Sequence, residues 1–319
     1  MRRYLAEFLS DGRVLDVNPV LRYSLLYGAI LPFRPKQSAE AYQKVWTDGG
    51  SPLLVHSEAL AAALRARLGE EVVVEVAMRY GEPSIDRALG VLDAASVRRW
   101  VLAPLYPHYA ASSTGTSLEA IYERLSRRWV VPSVRVLEPF YDRPEYLDAF
   151  VAVGRPVLDE LRPDHVLFSY HGLPERHVTK CDPTGQHCLK SEACCAAIVD
   201  ANRDCYRAQC FATTRSLVAR LGLDEAQTTT SFQSRLGRTP WIRPYTDEIL
   251  PMLAQRGCKR LAVFCPAFVA DCLETLEEIG LRAAESFRQA GGETLRLVPS
   301  LNASDKWVEG LARLLQPLI

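Results

Sequence analysis

The chain has 319 residues, 48% of them hydrophobic, and its 38 basic side chains balance 38 acidic ones. That length supports two cores of ordinary size, and the zero net charge excludes the broad basic surface of a nucleic-acid binder. No apolar run reaches the roughly 20 residues needed to cross a bilayer and the N-terminus lacks a secretory apolar block, so a cytoplasmic protein is expected, with peripheral contact at a membrane left open.

In chain order, a helix begins at Arg2-Arg3-Tyr4-Leu5, and Arg34-Pro35-Lys36 opens a second helix near Ser38 that carries Tyr42 toward Ser51. Amphipathic stretches Ser57 to Leu68, Ser84 to Ala94 and Ser117 to Arg127 alternate with short β-branched runs at Val72 to Val76, Val101 to Leu105 and Val134 to Leu137. Arg79 follows the first of these runs and is expected to leave a strand at its carboxyl end. The helical pattern Pro144 to Leu161 carries the chain into a second half, giving units 1–150 and 151–319 with a boundary between 145 and 160. Beyond it come Val166 to Phe168, Arg215 to Leu221, Thr246 to Gln255, Leu261 to Phe264 and Lys306 to Leu315. Strands alternating with helices predict an α/β protein of two doubly wound, Rossmann-like halves with parallel sheets. Ligands in such sheets sit beyond the carboxyl ends of the strands.

Two segments fall at such ends. Ser169-Tyr170-His171-Gly172-Leu173-Pro174 closes a strand in a polar turn, where a neutral imidazole can accept a proton near physiological pH. A histidine that merely caps a strand is the bland alternative. Downstream of Phe268 and Asp271, Glu274, Glu278 and Glu285 recur at helical spacing while Glu277 points away. Such a row is either a solvated helix face or, beside a cleft, a path for a hard divalent ion or for protons. Tyr106, Trp241 and Phe268 are candidate walls of an apolar cleft and equally candidates for ordinary core.

The interval from Gly172 to Cys210 is too long for a structureless connection. It holds Cys181, Cys188, Cys194 and Cys195 within fifteen positions, followed by Cys205 and Cys210. In a reducing compartment such thiols point to metal rather than disulfides. Four thiolates suit zinc or an iron–sulfur cluster, and the absence of paired Cys-x-x-Cys knuckles favours a 2Fe-2S cluster on the first four, with Cys205 as substitute. His177 and His187 flank them and are alternative ligands.

Several motifs together resemble the bacterial ferrochelatase family: Phe232-Gln233-Ser234-Arg235 with Pro240-Trp241, Pro244-Tyr245-Thr246-Asp247-Glu248, Asp271-Cys272-Leu273-Glu274, Leu301-Asn302-Ala303, Met78-Arg79-Tyr80 and Leu105-Tyr106-Pro107-His108-Tyr109. The resemblance implies insertion of ferrous iron into protoporphyrin IX or a related porphyrin, with release of two protons to form haem. It implies His171 as proton acceptor, Glu274 as the carboxylate across the macrocycle and Asp271 in the same cluster, while Glu278 is a candidate iron or proton relay from its place in the carboxylate row. Arg34, Lys36, Tyr42 and Ser51 lie in a segment similar to the family's propionate-binding lip, and Arg79 is the more specific cation. Some members carry a 2Fe-2S cluster in an internal segment at this place. Many relatives have histidine where this chain has Cys272, and the strand that usually precedes the first helix has no counterpart here. Coproporphyrin as substrate, a different tetrapyrrole chelatase and a non-enzymatic haem or iron–sulfur sensor are the alternatives, and oligomeric state is not set by the sequence.

Overall fold

A computed structural model of the chain describes residues 1–237 and 239–319. Two compact units divide it: one comprises Met1–Pro104, Ala110–Glu138 and Leu314–Ile319, the other Leu105–Tyr109 and Pro139–Arg313. The boundary expected between 145 and 160 therefore compares with a change of unit after Glu138, with a short excursion at Leu105–Tyr109.

The first unit is mainly helical around a two-stranded parallel sheet of β1 (Arg99–Leu102) and β2 (Ser133–Val136). Its helices include Pro52–Leu68, Ile85–Ala94 and Thr116–Leu125, at the places the amphipathic patterns indicate. Trp100, Leu89 and Leu125 form its small core. Val72 to Val76, expected as a strand, forms none. Arg65 donates from Nε to the Val74 carbonyl at 2.8 Å, so a side chain satisfies backbone that a neighbouring strand would otherwise have to pair. Arg34 and Lys36 also lie within a helix, Leu31–Gln43, rather than ahead of one. The helical run is continuous from Pro19 through a π-helical turn at Leu26–Ile30, and its start signal is Asn18, whose side chain accepts from Val20 N, with Pro19 in the first turn where a missing N–H is not needed.

The second unit holds a four-stranded parallel sheet in the order β4-β3-β5-β6, made of β3 (His165–His171), β4 (Thr228–Gln233), β5 (Arg260–Phe264) and β6 (Thr294–Leu297). Helices Pro144–Leu161 and Tyr206–Leu221 pack together, as do Thr246–Gln255 and Ala284–Gln289, and these two pairs cover the sheet. β3 is interior to it, and its five middle residues are buried. Leu167, Leu261 and Val263 pack against Leu250, Leu253 and Phe287. Gly154 lets the first helix approach β5 closely, since a Cβ there would lie 2.4 Å from the Phe264 ring.

β4 and β6 were not anticipated from the sequence. β4 reads Thr-Thr-Thr-Ser-Phe-Gln, whose hydroxyls mask its β-branched character. Those hydroxyls are consumed inside: Thr230 donates to Thr214 at 3.0 Å, and Ser231 and Ser169 both meet Thr246 Oγ1.

His108 is a second buried polar centre in this unit. It is 2% exposed, its Nε2 meets Thr213 Oγ1 at 2.9 Å, and the Tyr170 and Tyr206 rings stand 5.3 and 5.8 Å away. Burial brings its pKa down to about 3 from 6.5. The unfolded chain thus binds a proton between those values that the folded chain refuses, and stability must fall as pH drops from 6.5 toward 3. His108→Gln, which keeps a polar group for Thr213, is expected to make that fall shallower by up to about 1.4 kcal/mol per pH unit. Denaturant unfolding of both proteins between pH 7 and 4 checks this, and parallel curves would reject it.

Candidate active site and thiol group

His171 closes β3, half-buried, in register with Gln233 of β4. Its Nδ1 lies 2.6 Å from the Gly172 carbonyl. A carbonyl can only accept, so Nδ1 carries the proton and Nε2 is left as an acceptor. Gly172 permits this turn because a Cβ would lie 2.8 Å from the Gln233 carbonyl and 3.1 Å from Trp241 Cε3. Trp241 is held in turn by its Nε1 donating to Leu236 O, and the Phe268 ring stands 6.4 Å from the imidazole. Two of the candidate aromatic walls therefore adjoin the candidate base or the turn that follows it. Tyr106 is partly exposed in the short segment Leu105–Tyr109 of this unit.

Gln233 is the site residue that motif reading quoted without giving it a role. Its Oε1 accepts from Ser169 at 2.8 Å and from the Cys265 thiol at 3.8 Å, and its Nε2 donates to the Glu274 carbonyl at 2.9 Å. One carboxamide thus joins β3, the end of β5 and the helix that carries Glu274. The signal that could have found it was its place two residues beyond the run of hydroxyls.

Glu274 begins a π-helix, Glu274–Ala283. Wide turns of this kind are rare and concentrate at functional sites. The Cys272 thiol lies within hydrogen-bonding reach of the Glu274 carboxylate, and burial followed by that negative charge pushes the thiol pKa well up, so it remains an S–H donor. Glu278 accepts from Ser234 N at 2.9 Å and Ser234 Oγ at 2.6 Å, which fixes the turn after β4 where Ser234 adopts a φ of 65°. Glu277 is turned inward and paired with Arg282 at 2.8 Å, as its departure from the row implies. Asp271 is buried and accepts from Thr275 Oγ1 at 3.0 Å and Asn302 Nδ2 at 2.8 Å, so its carboxylate anchors the loop.

In the first unit, Arg34 and Lys36 are exposed on their helix. Tyr42 stacks edge-on with Trp46 at 6.1 Å. Ser51 caps the helix Pro52–Leu68 by accepting from Leu54 N. Arg79 is paired with Asp11 at 2.6 Å and donates to Thr116 O and Oγ1. Its guanidinium is engaged inside its own unit rather than standing free at a strand end.

The thiols sort differently from their order in the chain. Cys205 lies within hydrogen-bonding reach of both Cys188 and Cys195, and the Cys194 and Cys195 sulfurs are 3.7 Å apart. All four are buried. Cys181, first of the four expected ligands, instead donates from Sγ to the His177 carbonyl at 3.3 Å. Cys205, the substitute, takes its place in the group. Burial raises the pKa of Cys188 and Cys194, and Cys195 rises first through its contact with Cys205 and then through burial. Arg207 Nη1 supplies the opposing charge, 3.1 Å from Cys195 Sγ and 3.8 Å from Cys194 Sγ. Among the described residues no three His, Cys, Asp or Glu side chains are gathered closely enough to hold a single ion.

Two buried polar side chains order the interval. Asp182 accepts from Thr184 Oγ1 at 2.7 Å and from the amides of His187 and Cys188 at 2.8 Å, which holds its carboxyl well below the usual range. Asn202 donates to the carbonyls of Cys194 and Ala197, both at 2.9 Å.

A family model described as "Ferrochelatase" matches residues 1–317. A ferrochelatase of Pseudomonas fluorescens (strain Pf0-1) is 52% identical over 316 residues, covering 98% of this chain and 92% of the relative. One from Coxiella burnetii (strain Dugway 5J108-111) is 46% identical over 314 residues, covering 98% and 87%. Among solved structures, SirB from Bacillus subtilis with Fe3+ superposes with a TM-score of 0.54 at 16% identity, covering 84% of this chain and 92% of that one. At that identity the likeness establishes the α/β fold alone. Among the described residues no helix is long and apolar enough to cross a membrane.

Replacing Gln233 by Leu leaves the Ser169 hydroxyl and the Glu274 carbonyl each short of a partner. A stability loss of about 1–3 kcal/mol is expected, read by denaturant unfolding, and wild-type stability in the variant would remove Gln233 from its bridging role.

Proposed function

The chain belongs to the ferrochelatase family, and from that premise we propose that His171 and Glu274 carry its reaction, the insertion of ferrous iron into a porphyrin with loss of two protons to form haem. Protoporphyrin IX is the substrate of this reading. The observation that carries the assignment is the Gly172 carbonyl holding the His171 Nδ1–H at 2.6 Å, which leaves Nε2 basic. Gln233, in register with His171, ties the backbone of Glu274 to the same sheet end.

A free porphyrin must lose its two pyrrole protons and bend before a metal can enter, so the site needs a proton acceptor and apolar surfaces that favour the bent ring. Nε2 of His171 takes pyrrole protons, while Trp241, Phe268 and Tyr106 contact the ring face. Glu274, hydrogen-bonded by Cys272, receives the hard ferrous ion or the released protons. Glu278 stands one further turn along and keeps Ser234 in place while serving the same relay. Within the first unit, Arg34 and Lys36 offer exposed cations and Tyr42 a hydroxyl of the kind that binds carboxylates. Ser51 and Arg79 act through the cap and the Asp11 pair that shape their segment, and Asp271 through the loop it anchors. This reading involves no nucleic acid.

The same reading extends to a 2Fe-2S cluster held by Cys188, Cys194, Cys195 and Cys205. Four buried thiols that touch in sequence, Cys188 to Cys205, Cys205 to Cys195 and Cys195 to Cys194, beside a cation support this reading, and sulfurs gathered in pairs suit two irons better than one zinc. When bound, such a cluster supplies one-electron redox capacity and a covalent tie across the interval. The protein's own part is to bury the thiols and to hold the loop with Asp182 and Asn202.

Under anaerobic conditions with ferrous iron and protoporphyrin, His171→Ala is expected to lower metal insertion by about 10²–10⁴-fold while porphyrin fluorescence still reports binding. Turnover comparable with wild type would defeat the assignment. For the thiols, iron and sulfide analysis of Cys205→Ser should show the cluster lost and that of Cys181→Ser should show it kept. One bound zinc without sulfide would reject the cluster, and the reverse pattern would return Cys181 to the ligand set.

A further inference from the structure

We infer that Arg207 is a positioning residue for the thiol group, a fixed cation that sets the reduction potential of the metal cluster those thiols hold. The inference rests on the 2Fe-2S reading and deepens it. Arg207 is half-buried in the first turn of the helix Tyr206–Leu221, two residues after Cys205. Its Nη1 stands 3.1 Å from Cys195 Sγ and 3.8 Å from Cys194 Sγ. Three contacts fix the side chain in that pose: Nε donates to the Arg243 carbonyl at 3.2 Å, the guanidinium lies 4.7 Å from the Phe211 ring centroid, and the sulfurs close the third side. A second arginine, Arg215, donates to the Cys195 carbonyl at 2.9 Å and so holds the backbone of the same residue.

The physical consequence concerns charge. Two ferric ions, two sulfides and four thiolates carry a net charge of about −2, and one added electron makes it about −3. In a buried site these charges are weakly screened, so a cation against two of the four sulfurs favours the more negative state. Hydrogen bonds to cluster sulfurs act in the same direction. Asp204 and Asp182 are nearby acids that oppose it, Asp182 with both oxygens already committed to loop amides and Thr184. Arg207 is the group in contact with sulfur, and its effect dominates.

The test uses the full chain, purified anaerobically and reconstituted with ferrous iron and sulfide, with the cluster's potential read by absorbance and electron paramagnetic resonance during a mediated dithionite titration. Arg207→Gln, which keeps a donor but removes the charge, should load iron and sulfide as wild type does and shift the midpoint to lower potential. Arg207→Lys, which keeps the charge, should shift it less. A wild-type potential in a loaded Arg207→Gln protein overturns the inference, as does a shift of equal size in both variants. If Arg207→Gln fails to load, the loaded Arg207→Lys protein decides, because a shift as large as the loss of a full charge would again overturn it. Failure of the cluster reading itself is distinguishable, because the wild-type protein would then hold no sulfide before any variant is made.

Discussion

One carboxamide organises the candidate active site. Gln233 is 3% exposed, and its two ends reach three elements: Ser169 on the strand that ends in His171, Cys265 after the neighbouring strand, and the carbonyl of Glu274. An unpaired amide in so dry a place would be expensive, so these three partners are obligatory rather than optional. The histidine and the glutamate, about a hundred residues apart in the chain, are thereby held to one sheet end by side-chain and backbone hydrogen bonds together.

Around that amide the interior is more polar than its hydrophobic content implies. Ser169 and Ser231 share Thr246, while Tyr170 meets Thr214 and Thr230 meets Thr214. A connected network of satisfied hydroxyls restricts the sheet to one arrangement, since any slip of register leaves several donors unpaired at once. Rigidity of this kind suits a protein whose proposed task is to hold a flat ligand bent. The cysteine interval follows a similar logic on a smaller scale. Asp182 and Asn202 tie its backbone at two points, and the thiols then meet inside that frame.

Much of the organisation was legible before any coordinates. The helices Pro144–Leu161, Thr246–Gln255 and Ile85–Ala94 follow from periodicity, because an apolar stripe at 3.6-residue spacing has few other solutions. Strands β1, β2, β3 and β5 were visible as β-branched runs. The strand expected at Val72 to Val76 was not there, since a run of valines announces β-propensity but not a partner, and Arg65 took the Val74 carbonyl instead. β4 escaped notice for the opposite reason: its hydroxyls look solvated in a sequence, and only neighbours such as Thr214 and Thr246 make them interior.

The amino-acid sequence by itself determined the family and the parallel α/β class, and it marked His171 and Glu274 as candidates, because residue type and motif are properties of the chain. Tertiary structure alone decided which thiols meet, that Arg79 is spent on Asp11, and that Gln233 bridges the site. Those are contacts between residues far apart in order or turned by their own loop, as Cys181 is turned to His177 O while Cys205 reaches Cys188 and Cys195. Proximity in the chain limits how far two groups can be apart, but only the folded backbone sets which way each side chain faces.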